Sequence, residues 1–263
     1  MSTDGKGDLP PGVELAGQVV MVTGASSGLG AHFAQVLARR GAHVIAIARR
    51  VDRLKEVRAG IEATGGSVTT IAGDVADRAS LRAAFAEALA AKGSIDVIVN
   101  NAGAGVMKPA LEHTDEDWDT TFATNVRGAW ELSRLFAEHR RGVGGGAIVN
   151  VASGAALVAI PNTAAYSASK AALVHLTKQL AREWAGTGLR VNCICPGHFE
   201  TELNADFLGD PAFRARVARG VPLGRLGEYQ ELDGLLVLLA SHASSYITGA
   251  VIPVDGGQSL RNP

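Results

Sequence analysis

The chain has 263 residues, 47% of them hydrophobic, which is enough for one large α/β core or two small domains. Its 25 basic and 26 acidic side chains leave a net charge of −1, without the basic excess of a nucleic-acid or membrane-surface binder. The first 14 residues are polar and rich in Gly, Pro and Asp, with no apolar signal-peptide core, and no later run is long and apolar enough to span a membrane. A mobile N-terminal tail over 1–14 on a soluble cytoplasmic protein is the expectation, with one domain over 15–263.

From there apolar β-rich runs alternate with helical ones. Strands are predicted at 18–23, 43–48, 67–73, 95–100, 147–152, 189–194 and 250–254. Helices are predicted near 28–40, 50–63, 77–91, 115–140, 164–185 and 229–240. The strands read as continuous apolar runs, as expected when helices cover both sheet faces. The rhythm implies an α/β fold: one doubly wound, Rossmann-type parallel sheet. Thr114 to Asp117 has the form of a capping box, which explains the acidic cluster at 115–119 better than a metal site does. Residues 200–226 break the rhythm beyond a strand's carboxyl end, where such sheets bind ligands, and are the candidate substrate lid.

The first strand runs into Thr23-Gly24-Ala25-Ser26-Ser27-Gly28-Leu29-Gly30 and then a helix. Glycines there let backbone approach a pyrophosphate, and the helix N-terminus favours its charge. A carboxylate ending the second strand would accept bonds from an adenosine ribose and repel a 2′-phosphate. Instead Arg49 and Arg50 follow Ala48. Forked guanidinium donors suit a phosphate, so NADP(H) is favoured, with NAD(H) as the alternative. Asp74 and Val75 after the third strand, and Asn101, Ala102 and Gly103 after the fourth, face the same cleft.

Ser153 ends the fifth strand, and Tyr166 lies four residues ahead of Lys170 in an alanine-rich helical run. The spacing puts phenol and ammonium on one helical face, and a cation beside a phenol lowers its pKa from about 10, making it a proton donor and acceptor. Cys193 and Cys195, the only cysteines, are expected to be buried and reduced.

Together these motifs resemble the short-chain dehydrogenase/reductase family from about Gly17 to Gly257. The resemblance implies a catalytic tetrad of Asn125, Ser153, Tyr166 and Lys170. Ser153 and Tyr166 would meet the substrate oxygen, Lys170 the nicotinamide ribose, and Asn125 a water relaying protons to Lys170. It also implies that 194–201, including Pro196, Gly197, His198 and Thr201, wraps the nicotinamide, and that the protein is a homotetramer. The expected activity is an NADP(H)-dependent carbonyl reductase, with 3-oxoacyl thioesters among the candidate substrates. The alternatives are an NAD-dependent alcohol, polyol or sugar dehydrogenase and a non-catalytic dinucleotide sensor.

Overall fold

The computed structural model describes residues 12–202 and 204–260. Most of the expected tail, residues 1–11, lies outside the described residues; Gly12 itself is tied down, its carbonyl accepting the Ala243 N–H at 2.9 Å.

Seven strands form one wholly parallel sheet: β1 (Val19–Thr23), β2 (His43–Ala48), β3 (Ser67–Ala72), β4 (Val97–Asn100), β5 (Gly146–Val151), β6 (Leu189–Pro196) and β7 (Val251–Val254). Their order is β3-β2-β1-β4-β5-β6-β7. The order reverses between β1 and β4, so the two chains leaving these strands diverge and open a crevice at their carboxyl ends. Helices α1 (Gly28–Arg39), α2 (Val51–Ala63) and α9 (Asp233–Ala240) cover one face. Val20, Val22, Val44 and Val99 point to that face, against Phe33, Leu37, Leu54 and Leu236. The intervening residues Met21, Ile45, Ile98 and Ile148 point the other way, into a second core. There they meet Leu81 and Phe85 of α3 (Arg78–Lys92), Phe136 of α5 (Ala129–Arg140) and Leu180 of α6 (Ala164–Trp184). Each such side chain contributes about 1.5–3 kcal/mol by leaving water, and the period of two divides them between the faces.

β7 is an edge strand. The carbonyls of Ala250 and Val254 accept bonds from Cys193 and Gly197 on the β6 side. Alternation along the strand therefore turns the imino nitrogen of Pro253 outward, where its missing N–H breaks no bond.

The predicted helix over 115–140 is broken. It consists of α4 (Asp115–Phe122), a π-helical stretch Ala123–Gly128, and α5. The capping box that starts α4 is present: Thr114 Oγ1 accepts the Asp117 N–H, and Asp117 accepts the Thr114 N–H. Two tertiary contacts account for the π stretch. The Asn125 amide is engaged by residue 104 and by α6, and Gly128 abuts the Val75 carbonyl so closely that a Cβ there would lie 2.5 Å from its oxygen. The excursion after β6 carries two short helices, α7 (Ala205–Leu208) and α8 (Pro211–Gly220), the second capped by Asp210. Cys193 and Cys195 are free and buried, with sulfurs 4.0 Å apart.

Candidate active site

The glycine turn is built for close approach. Gly24 and Gly28 have φ of +67° and +51°, the left-handed region that side chains rarely adopt. A Cβ on Gly30 would lie 2.2 Å from the Gly24 carbonyl oxygen, so the first turn of α1 seats directly on the loop. Ser27 precedes α1 in extended backbone and makes no side-chain cap bond, and Leu29 packs into the core behind. The leading N–H groups of α1 thus face the crevice as an anion site. The open side of Gly28 looks onto Thr201, whose Cβ would be 3.8 Å from an added Cβ.

Arg50 leans over this turn, donating to Ser26 Oγ at 3.2 Å and Ser27 Oγ at 2.6 Å. Arg49 turns toward the carboxylate of Asp74, 3.7 Å away. Asp74 also accepts the Ala76 N–H. With exposed guanidinium donors beside an uncapped helix N-terminus, the residues present fit a dinucleotide carrying an additional phosphate.

Asn101 is used differently from the expectation that it faces the cofactor. Its amide donates to the Thr23 carbonyl at 2.9 Å, which holds the Asn101–Gly103 loop to β1. The adjoining Ala102 N–H bonds the Thr23 hydroxyl. On the other side of the cleft, Gly197 packs on Asp255, where a Cβ would meet Asp255 Cα at 2.6 Å. The carbonyl of His198 accepts the Gly227 N–H, and burial pushes the His198 imidazole below its ordinary pKa.

The four residues expected to act together do converge. Ser153 extends from the end of β5, where its hydroxyl accepts the Ala155 N–H and lies close enough to the Tyr166 phenol to act on it. Lys170, only 3% exposed, lies with Nζ 5.8 Å from the Tyr166 ring centroid and donates to the Val151 carbonyl at 2.8 Å. One expectation is corrected: burial raises the Tyr166 pKa above its ordinary value, relieved only by the Ser153 hydroxyl. Burial instead acts on the lysine, bringing it down to about 8 against the opposing pull of Cys193 and Cys195. The Asn125 side chain is also fully engaged. Its Nδ2 donates to the Ala104 carbonyl and to Ser169 Oγ, while Oδ1 accepts the Ala104 N–H. Ser169 in turn donates to the Tyr166 carbonyl. The amide therefore fastens the 104 loop to the helix that carries Tyr166 and Lys170, and has no donor left for a water.

Two further residues shape the site. Ser169 is the bridge just described. Gly105 lies under the tyrosine ring, where an added Cβ would be 2.6 Å from Tyr166 Cδ2. Neither carries a chemical signature, although Ser169 lies on the same helical turn as Lys170. No group of His, Cys, Asp and Glu among the described residues is arranged to hold a metal ion.

Gly105→Ala is therefore expected to push the ring, and a crystal structure of the variant should show the Tyr166 ring displaced from residue 105 relative to the wild type. An unmoved ring contradicts this packing argument.

A family profile described as enoyl-(acyl carrier protein) reductase matches residues 24–259. D-threitol dehydrogenase of Mycolicibacterium smegmatis is 40% identical over 94% of this chain and 95% of its own. Gluconate 5-dehydrogenase of Gluconobacter oxydans is 37% identical over 92% of this chain and 95% of its own. Among solved structures, a putative NAD(P)-dependent gluconate 5-dehydrogenase from Beutenbergia cavernae, with NADP bound at low occupancy, superposes with a TM-score of 0.90. It shares 41% identity, with 95% of this chain and 99% of that one covered. The profile and these relatives match along nearly the whole sequence, and the chain belongs to the short-chain dehydrogenase/reductase family.

Proposed function

We propose that this chain is an NADP(H)-dependent oxidoreductase interconverting a ketone or aldehyde and its alcohol, with Asn125, Ser153, Tyr166 and Lys170 as its working residues. The observation that carries the reading is the meeting of the Tyr166 phenol with the Ser153 hydroxyl at the carboxyl edge of β5, with the buried Lys170 side chain on the same helix face as Tyr166. The cofactor, when bound, supplies or accepts the hydride. Gly24, Gly28 and the N-terminus of α1 would hold its pyrophosphate, Arg49 and Arg50 its 2′-phosphate, and Pro196 to Thr201 the nicotinamide end. The Ser153 hydroxyl donates to the substrate oxygen as charge develops there, and Tyr166 transfers the proton to it. Lys170 favours the phenolate left behind and resupplies the proton. Asn125 and Gly105 hold this group in register.

Substrate class is the finer part of the reading. Val106 and Met107 follow the glycine under Tyr166, and Leu157 follows the Ser153 turn; all three are exposed apolar side chains at the cleft. Lys108 beside them is paired with Asp117. This lining supports a neutral carbonyl compound, and the segment 200–226 would close over it. A sugar-acid or polyol substrate is the second reading, favoured by the names of the relatives. An NADPH-oxidation screen across neutral ketones, acyl thioesters and keto-sugars separates the two.

Assembly as a homotetramer is supported by an apolar concavity of about 1060 Å³ along α4, the π stretch and α6, lined by Phe122, Val126, Trp130 and Leu176. Trp130 in this lining is 39% exposed, and Trp118, stacked on Phe122, is 44% exposed, unusual for side chains of that size on a monomer's surface. Sedimentation at micromolar concentration tests it, and a monomer refutes it. No helix among the described residues is long and apolar enough to cross a membrane, and the two free thiols support a reducing, cytoplasmic setting that cell fractionation checks.

Tyr166→Phe should lower kcat by roughly 10²- to 10⁴-fold, the worth of positioned acid–base assistance, while NADPH affinity changes by less than about twofold. Near-normal turnover would end the assignment. Ketone reduction consumes a proton and needs Lys170 charged. Because burial lowers its pKa to about 8, kcat/KM for reduction should be level at lower pH and fall as pH rises through that value. Alcohol oxidation should rise over the same window, and a reduction profile level through alkaline pH contradicts the role given to Lys170.

A further inference from the structure

Arg50 is held by three oxygens, and the third does not belong to the glycine turn. Beside Ser26 and Ser27, its guanidinium donates to the Glu202 carboxylate at 2.8 Å. Glu202 comes from the loop beyond β6, directly after Thr201, and so reaches back across the cleft to the start of α1. Its carboxyl group is held below the ordinary carboxylate range, first by Arg50 and next by the nearby Ser27 hydroxyl.

A guanidinium fork, a serine hydroxyl and the N-terminal end of a helix are the donors that bind phosphate oxygens. Here they hold a carboxylate, which has the same charge sign and the same two-oxygen reach. Arg50 stands two residues past the end of β2, where an adenosine ribose is held in sheets of this order. Arg49 stands outside this cluster, with its guanidinium 3.7 Å from the Asp74 carboxylate. Neighbouring contacts hold the Glu202 backbone independently of its side chain. Thr201 N–H bonds Asn204 Oδ1 at 2.8 Å, and Tyr229 Oη donates to the Glu200 carbonyl at 2.5 Å. Arg214 pairs with the Glu200 carboxylate. The Glu202 side chain can therefore leave Arg50 by rotation alone.

We propose that Glu202 is a cofactor-selectivity residue whose carboxylate competes with the adenosine 2′-phosphate for Arg50 and Ser27, weakening NADPH binding relative to NADH. The inference rests on the dinucleotide reading above. A 2′-phosphate arriving at Arg50 must displace Glu202 or sit beside a like charge. A ribose with a free 2′-hydroxyl makes neither demand. Both partners of the ion pair are about half exposed, at 48% and 52%, so the effect is that of a solvent-screened pair.

The test is fluorescence titration of NADPH and NADH against the full-length wild type, Glu202→Gln, Arg50→Ala and the double variant. Glu202→Gln should tighten NADPH roughly two- to fivefold and NADH by less than that, the range of an exposed charge pair. Arg50→Ala should weaken NADPH and abolish the gain from Glu202→Gln. Equal tightening of both dinucleotides means that these donors serve the pyrophosphate, and it overturns the proposal. So does a gain that survives without Arg50. If the wild type binds both dinucleotides and Glu202→Gln changes neither, the proposal alone falls; if it binds neither, the proposed function falls with it.

Discussion

The crevice depends on one buried hydroxyl. Thr23 Oγ1, at the carboxyl end of β1, donates to the Val99 carbonyl and accepts the N–H groups of Asn101 and Ala102. One donor and two lone pairs saturate a hydroxyl, so the group is complete. It lies where the strand order reverses and neighbouring backbones separate, the place where ladder bonds run out. Any of these N–H groups left unpaired there would cost about 1–3 kcal/mol. Holding the fourth strand's exit against the first also sets the distance between the glycine turn and residue 104, and hence between the cofactor crevice and the tyrosine.

A second polar knot carries that placement to the reacting groups. The Asn125 amide takes both backbone groups of Ala104 and reaches Ser169 on α6, so three separate chain segments share one side chain. Deeper in the same layer, Asn100 donates to Asn150, and Asn150 to Thr177 of α6. The helix carrying Tyr166 and Lys170 is thus fastened to the central strands at two levels, through buried groups, where a bonded network is stiff and a broken one is costly. Stiffness matters because Tyr166 has Gly105 against its ring and Ser153 at its oxygen, with little latitude between them.

The sheet was legible because parallel strands covered on both faces must be apolar throughout, and all seven lie within two residues of where the apolar runs put them. Helical spacing put Tyr166 and Lys170 on one face, and the glycine turn and Ser153 gave that pairing its meaning. Residues 115–140 read as one helix because their local pattern is helical. The π stretch arises from Asn125 and Gly128 meeting distant partners, which no local pattern encodes. Burial was the other hidden quantity: spacing brings a cation to Tyr166 but does not reveal that desolvation outweighs it. Gly105 looked like any loop glycine, and Glu202 like any surface acid, until their partners some 60 and 150 residues away were in view. Residues 200–226 stood out only as a break in the rhythm, and α7 and α8 within them were not foreseen.

The outward-facing nitrogen of Pro253 bears on how copies of this chain can meet. An exposed edge strand ordinarily offers its unpaired N–H and C=O groups to any other extended segment, which makes it a template for uncontrolled growth. With a proline in the middle of a four-residue strand, that template lacks its central donor. A neighbouring molecule cannot simply lengthen the sheet through this position. Association along that border has to be specified by side chains, and side chains discriminate between partners where a bare backbone edge does not.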